Sequence, residues 1–224
     1  MARFHPEPER LLQYAEGSLG LLESLIIAAH CDMCSRCRQI VEQHTRILSA
    51  KVFDFPLGER SKTTQLDQML NTITQLPLVK GNMPSRATQE YVELDGKTFP
   101  LPTTLQRVLR KTGGWSGLVG KLWQARVDID TPGLASFIYM GQGGRVPEHT
   151  HCGTEYTLVL DGEYCDELNH YRTGDFVTMG HEQLHTPYSE ARSGCLVFSV
   201  LDQPLQFTSG LARLLNPFSH LFFR

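Results

Sequence analysis

The sequence predicts an α+β chain in two parts, a small all-α N-terminal domain followed by an all-β jelly-roll barrel. Three observations predict it. Apolar residues recur at helical spacing from residue 7 to about residue 76. From about residue 88 the rhythm changes to period two, in short runs cut by Gly, Pro and Asp. Between them, "LPLVKGNMPSRA" (76–87) carries two prolines and a glycine, the composition of a boundary. We therefore divide the chain into a helical domain (1–80), a linker (81–88) and a β domain with a C-terminal extension (89–224).

The helical part is read first. Leu19, Leu22, Leu25 with Ile26, and Ala29 line one stripe, and Ile40, Val41, His44, Ile47 and Leu48 line a second. Leu66, Met69, Leu70, Ile73 and Leu76 fill every apolar position of a third. "FDFPLGERSK" (53–62) separates the second stripe from the third, and Ser61 or Thr63 suits the cap of the last helix. A helical unit of this size needs a partner or a metal to be stable. In the β part, "YVEL", "LWQARVDI", "LASFIYM", "EYTLVL", "DFVTM" and "GCLVFSVL" read as strands. Turn signals fall at "LDGK", "DTPG", "GQGG", "LDGE" and "RTGD".

Composition narrows the function classes. No apolar run in the 224 residues approaches the roughly 20 needed to span a bilayer, and "MARFHPEPER" lacks the basic patch and apolar core of a secretory signal. The expectation is a cytoplasmic protein, in which six cysteines read as metal ligands or reactive thiols rather than a disulfide framework. A formal net charge of −3 argues against direct DNA binding, and Arg107, Arg110, Lys111 and Lys121 read as a solvated face.

Two constellations carry chemistry. "AAHCDMCSRCRQI" (28–40) sets His30, Cys34 and Cys37 at i, i+4 and i+7, one stripe of a helix, with Cys31 turned about 100° away. An unbroken helix would hold the outer two Cα atoms roughly 10.5 Å apart, too far for one small ion. A break near "CDMCS" removes the strain, with Asp32 or Ser35 capping a new helix whose first turn holds Cys34 and Cys37 and favours thiolates. Three ligands leave a tetrahedral zinc site open. His5, His44 and Cys31 are the candidates for the fourth; His44 lies two turns further along the same helix, so His5, ahead of the first helix, is preferred.

The second stretch is "GGRVPEHTHCGTEYTLVLDG" (143–162). His149 and His151 alternate on one strand and share a face, Glu155 follows across a tight turn, and His185 closes "GDFVTMGHEQLH" (174–185). Three imidazoles and a carboxylate suit zinc, iron, manganese or nickel. His170 and His181 read as surface residues, and Cys152, Cys165 and Cys195 as packing residues, with Cys152 also placed to be a redox-sensitive thiol.

These residues carry a resemblance. Gly143, His149, His151, Glu155 and Gly162 match the first cupin motif without a gap, whereas Gly174 and His185 match the second but Gly180, Glu182 and Ser189 depart from it. His30, Cys34 and Cys37, with an upstream histidine at His5, resemble the zinc-binding anti-sigma domain. The two in this order resemble the ChrR-type anti-sigma factors over nearly the whole chain, from His5 to "LARLLNPF". The resemblance implies a 1:1 complex between the helical domain and an extracytoplasmic-function sigma factor, keeping it from RNA polymerase. It also implies zinc in both sites, and release under oxidants such as singlet oxygen or organic hydroperoxides sensed through the cupin. The chain then reads as a regulator rather than an enzyme. The alternative is a metal-dependent cupin dioxygenase with an appended zinc module, for which Tyr156, Glu148 and Glu163 would be the accessory acid–base groups.

Overall fold

The structure, a computed structural model, describes residues 2–53, 64–77, 91–94, 96–118 and 120–208. The linker 81–88, the caps at Ser61 and Thr63, and "LARLLNPF" lie outside the described residues.

Helix α1 (Pro8–Glu16) starts where Pro8 needs no amide partner and Glu9 meets the positive helix end. It stops at Gly17, whose left-handed φ of 72° lets the Gly17 and Ser18 amides reach the Tyr14 and Gln13 carbonyls. Helix α2 (Leu21–Met33) is apolar over most of its surface, and accordingly Ile26, Ile27 and Ala29 are buried. It breaks at Cys34, an extended residue, and α3 (Ser35–Phe53) begins at once. The break falls in "CDMCS" as the ligand spacing requires, but the cap differs. Asp32 reaches across to accept a 2.7 Å hydrogen bond from the Thr104 amide at the start of a short helix, α5 (Thr103–Gln106). Between them in sequence lies α4 (Thr64–Gln75).

The β part opens with a hairpin, β1 (Tyr91–Leu94) and β2 (Lys97–Pro100). Next in the chain come β3 (Ser116–Gly117), β4 (Leu122–Val127), β5 (Leu134–Met140), β6 (Gly144–Arg145), β7 (His149–His151) and β8 (Glu155–Cys165). They are followed by β9 (His170–Arg172), β10 (Phe176–Met179), β11 (Tyr188–Ser189), β12 (Cys195–Leu201) and β13 (Leu205–Phe207). The main sheet has the order β3-β4-β5-β12-β8-β11-β6, with β9 and β10 also on β8, while β7 and β13 form a separate two-stranded sheet, and the pairings are antiparallel. The expected strands lie on β1, β4, β5, β8, β10 and β12. "LDGE" is the exception: it is not a turn but the middle of the 11-residue β8. Gly162 there has φ 78°, and a Cβ on it would collide with the Gly194 carbonyl of β12's lead-in. The glycine serves a close strand approach beside a register shift at Leu196/Val197.

Helices and strands share one apolar core. Leu11, Ile26 and Ile27 belong to the same cluster as Phe137, Leu158 and Phe198, so α2 fills the barrel-facing layer. By contrast, every described residue from 66 to 77 is exposed, and Leu66, Met69, Leu70, Ile73 and Leu76 present the third stripe to solvent. No helix among the described residues is long and apolar enough to cross a membrane.

Candidate metal centres

The break at Cys34 turns the stripe into a cluster. His30 stands on the last turn of α2, Cys34 at the junction, and Cys37 on the first turn of α3. His5 comes in from the N-terminal arm. His5 Nδ1 lies 3.4 Å from His30 Nε2, 3.5 Å from Cys34 Sγ and 3.4 Å from Cys37 Sγ, and His30 Nε2 lies 3.3 Å from Cys37 Sγ. Tetrahedral zinc with nitrogen and sulfur ligands has edges of about 3.3–3.8 Å, so the donor set fits that ion. Burial and the nearby His5 ring lower His30 to about 4, which keeps its imidazole neutral and its lone pair free.

The Cys37 thiol differs from expectation. Burial, reinforced by the adjacent Cys34, pushes Cys37 up to about 12, outweighing the helix-end effect that would favour its thiolate. Two thiolates in contact here would need a compensating positive charge, which a bound cation would supply. Cys31 is buried outside the cluster, and His44 points away to Glu16 at 3.2 Å.

The arm that delivers His5 is fastened to the β part. The Arg3 and Phe4 amides donate to Asp175 Oδ1 at 2.5 and 3.1 Å, while Asp175 Oδ2 accepts from the Arg172 amide at 2.9 Å. The Phe176 amide donates to the Phe4 carbonyl at 3.1 Å, and the Phe4 ring packs on Tyr171 at 5.1 Å. A second tie runs from α1 through α2 to β8. Arg10 pairs with Glu23 at 3.4 Å, and burial together with Glu23 raises the Tyr156 hydroxyl to about 12.

In the barrel, β7 places His149 and His151 on one face, the start of β8 supplies Glu155, and His185 pairs backbone to backbone with His149. His185 Nε2 lies 3.1 Å from His149 Nε2 and 3.2 Å from His151 Nε2, and Glu155 Oε2 is 3.4 Å from His151 Nε2. Three ring nitrogens cannot satisfy one another at such distances, because neutral imidazole has one donor and one acceptor. A cation among them can. Burial lowers His149 to about 4 and also lowers His151. Burial opposes the charge on Glu155, yet His151, His149 and the Ser199 hydroxyl outweigh it and hold the carboxyl below its ordinary value.

Several groups orient these ligands. Pro147 O lies 2.8 Å from His149 Nδ1 and Asp166 Oδ2 lies 3.3 Å from His185 Nδ1, which commits each Nε2 to the cluster. Ser199 and Thr157 hydroxyls donate to Glu155 Oε1 at 2.6 and 3.0 Å. Asp166 and Asp175 carry no sequence signal as site residues. Conversely, the accessory candidates lie elsewhere: Tyr156 faces Glu23, Glu148 accepts from Thr208 at 2.8 Å, and Glu163 pairs with His170 at 3.1 Å. His170 and His181 are exposed, Cys195 is buried and Cys165 half-buried, but Cys152 is exposed rather than a packing residue. A cavity of about 380 Å³ opens beside His149, Glu155 and His185.

Residues 106–204 match the ChrR cupin-like domain. Over 219 residues the chain is 30% identical to the anti-sigma-E factor ChrR of Cereibacter sphaeroides, spanning 96% of this chain and 97% of that protein. The crystal structure of Rhodobacter sphaeroides SigE in complex with the anti-sigma ChrR superposes with a TM-score of 0.66 at 24% identity, covering 90% of this chain and 100% of that chain. The helical front and cupin-like β part are therefore the architecture of the chain.

Proposed function

Since this chain belongs to the ChrR family of anti-sigma factors, we propose that it holds an extracytoplasmic-function sigma factor in a 1:1 complex in the cytoplasm and releases it when the β half meets an oxidant such as singlet oxygen or an organic hydroperoxide. The observation that carries the reading is the bare stripe on α4. Five large apolar residues on a twelve-residue helix and its end, each more than half exposed, form a helix face that a partner would cover. His5, His30, Cys34 and Cys37 would hold zinc that sets the angle between α2 and α3. His149, His151, Glu155 and His185 would hold the second ion, zinc by family likeness, in the half that receives the signal.

Co-expression with a candidate extracytoplasmic-function sigma factor tests it. The complex should copurify at 1:1. Leu70→Glu combined with Ile73→Glu should abolish copurification, because both charges would be desolvated on docking. Cys34→Ser should abolish it too, by unfolding the front half. His149→Ala should keep the complex but remove its release by singlet oxygen or tert-butyl hydroperoxide. If His149→Ala loses the sigma factor while Cys34→Ser retains it, the division of labour is reversed. Failure to copurify, with turnover of a small diketone, would favour the dioxygenase alternative.

A further inference from the structure

The two clusters differ in their surroundings: the front one is enclosed by its four donors, whereas the rear one forms one wall of the 380 Å³ cavity. The rest of that wall is mostly apolar. Ile138 and Met140 come from β5, Val197 from β12 and Leu205 from β13, and among the described residues no lysine or arginine lines it. Its polar groups are mostly occupied: Gln124 donates to Ser136 at 3.1 Å, and Thr157 donates to Glu155. Tyr164, only 4% exposed, lines the same cavity.

These features define a ligand. The volume lies in the range of small-molecule sites. An enclosure with no basic side chain among its described residues rejects any charged group except one seated at the ion. A divalent ion held by neutral imidazoles and one carboxylate retains positive charge toward an open position, and zinc can widen to five ligands to accept it. We propose that the cavity binds an aliphatic molecule of medium length with a single terminal oxyanion, its head at the His149–His151–Glu155–His185 ion and beside the Tyr164 hydroxyl, its tail against β5, β12 and β13. The inference rests on the sensing role given to the β half and names the class of molecule that half recognises.

The test is calorimetric titration of the metal-loaded full chain with hexanoate, octanoate and decanoate, with decanol as the uncharged control. Affinity should rise about fourfold for each methylene added. Decanol should bind at least tenfold more weakly than decanoate. Ile138→Trp, which fills the cavity, should cut decanoate affinity at least tenfold at unchanged metal content. Equal affinity for hexanoate and decanoate, or decanol equal to decanoate, overturns the proposal. So does unaltered decanoate binding in a metal-replete Ile138→Trp protein; should that variant lose its metal, the chain-length series on the unaltered protein decides. The titration needs neither sigma factor nor oxidant. Absent binding with intact oxidant-triggered release sinks this inference alone, and chain-length-dependent binding without release sinks the sensing role alone.

Discussion

Asp166 is buried behind His185, fixed by the Leu168 and Asn169 amides at 2.8 Å each. Although burial opposes its charge, the His185 ring and those amides hold its carboxyl below the ordinary value. A carboxylate in that position fixes the ring and makes its far nitrogen a better donor. Asp166→Asn keeps the shape and removes the charge. It should weaken metal binding at the rear site about ten- to hundredfold, read by competition with a chromogenic chelator, while the front ion stays bound. Equal affinity in the two proteins would deny Asp166 this role. Six of the candidate ligands were visible in the sequence because local spacing sets their placement, i, i+2 with Glu155 four residues on in the β part and i, i+4 and i+7 around a helix, whereas His5 and His185 lie further off. Asp166 lies 19 residues from its histidine and Asp175 more than 170 from the arm it holds, and neither distance leaves a periodic trace.

At the level of elements, α2 and α4 carry similar apolar residues and meet opposite fates. Ile26 and Ile27 are fully buried, whereas Leu70 and Ile73 are exposed. Truncation should separate the two. Ile27→Ala should cost about 2–5 kcal/mol of stability by denaturant titration, through lost transfer energy and the cavity left behind. Leu70→Glu should change stability by less than about 0.5 kcal/mol, since Leu70 is 62% exposed. A large loss for Leu70→Glu would mean that α4 is a structural helix. Periodicity identified both helices, but it marks a stripe as apolar without saying what covers it. The same limit explains β8. Gly162 in "LDGE" reads locally as a turn, and only the β12 lead-in crossing over it shows why a glycine stands in mid-strand.

Across the whole molecule, the helical and β parts are joined through the common core, through Arg10, Glu23 and Tyr156, through Asp175, and through Asp32 and the Thr104 amide. Gly133 adds another point of approach, where a Cβ would press on the Leu22 side chain at 2.8 Å. Heating the metal-loaded chain should therefore give one calorimetric transition, and metal removal from the front cluster should lower the temperature at which the β part melts. Two well-separated transitions, with the β part indifferent to the front ion, would show the halves to be energetically independent.

One of these joints would give an ion at the front cluster a second use. A ligand supplied by a tethered stretch of backbone departs more often when the tether slackens, so escape of that ion would become a clock for events in the barrel. Asp175→Ala should run that clock several times faster in a chelator stopped-flow trace, with the four donor side chains left in place. Whatever reshapes the Arg172–Phe176 turn would be timed the same way, letting an investigator watch a message cross the protein by counting departing ions.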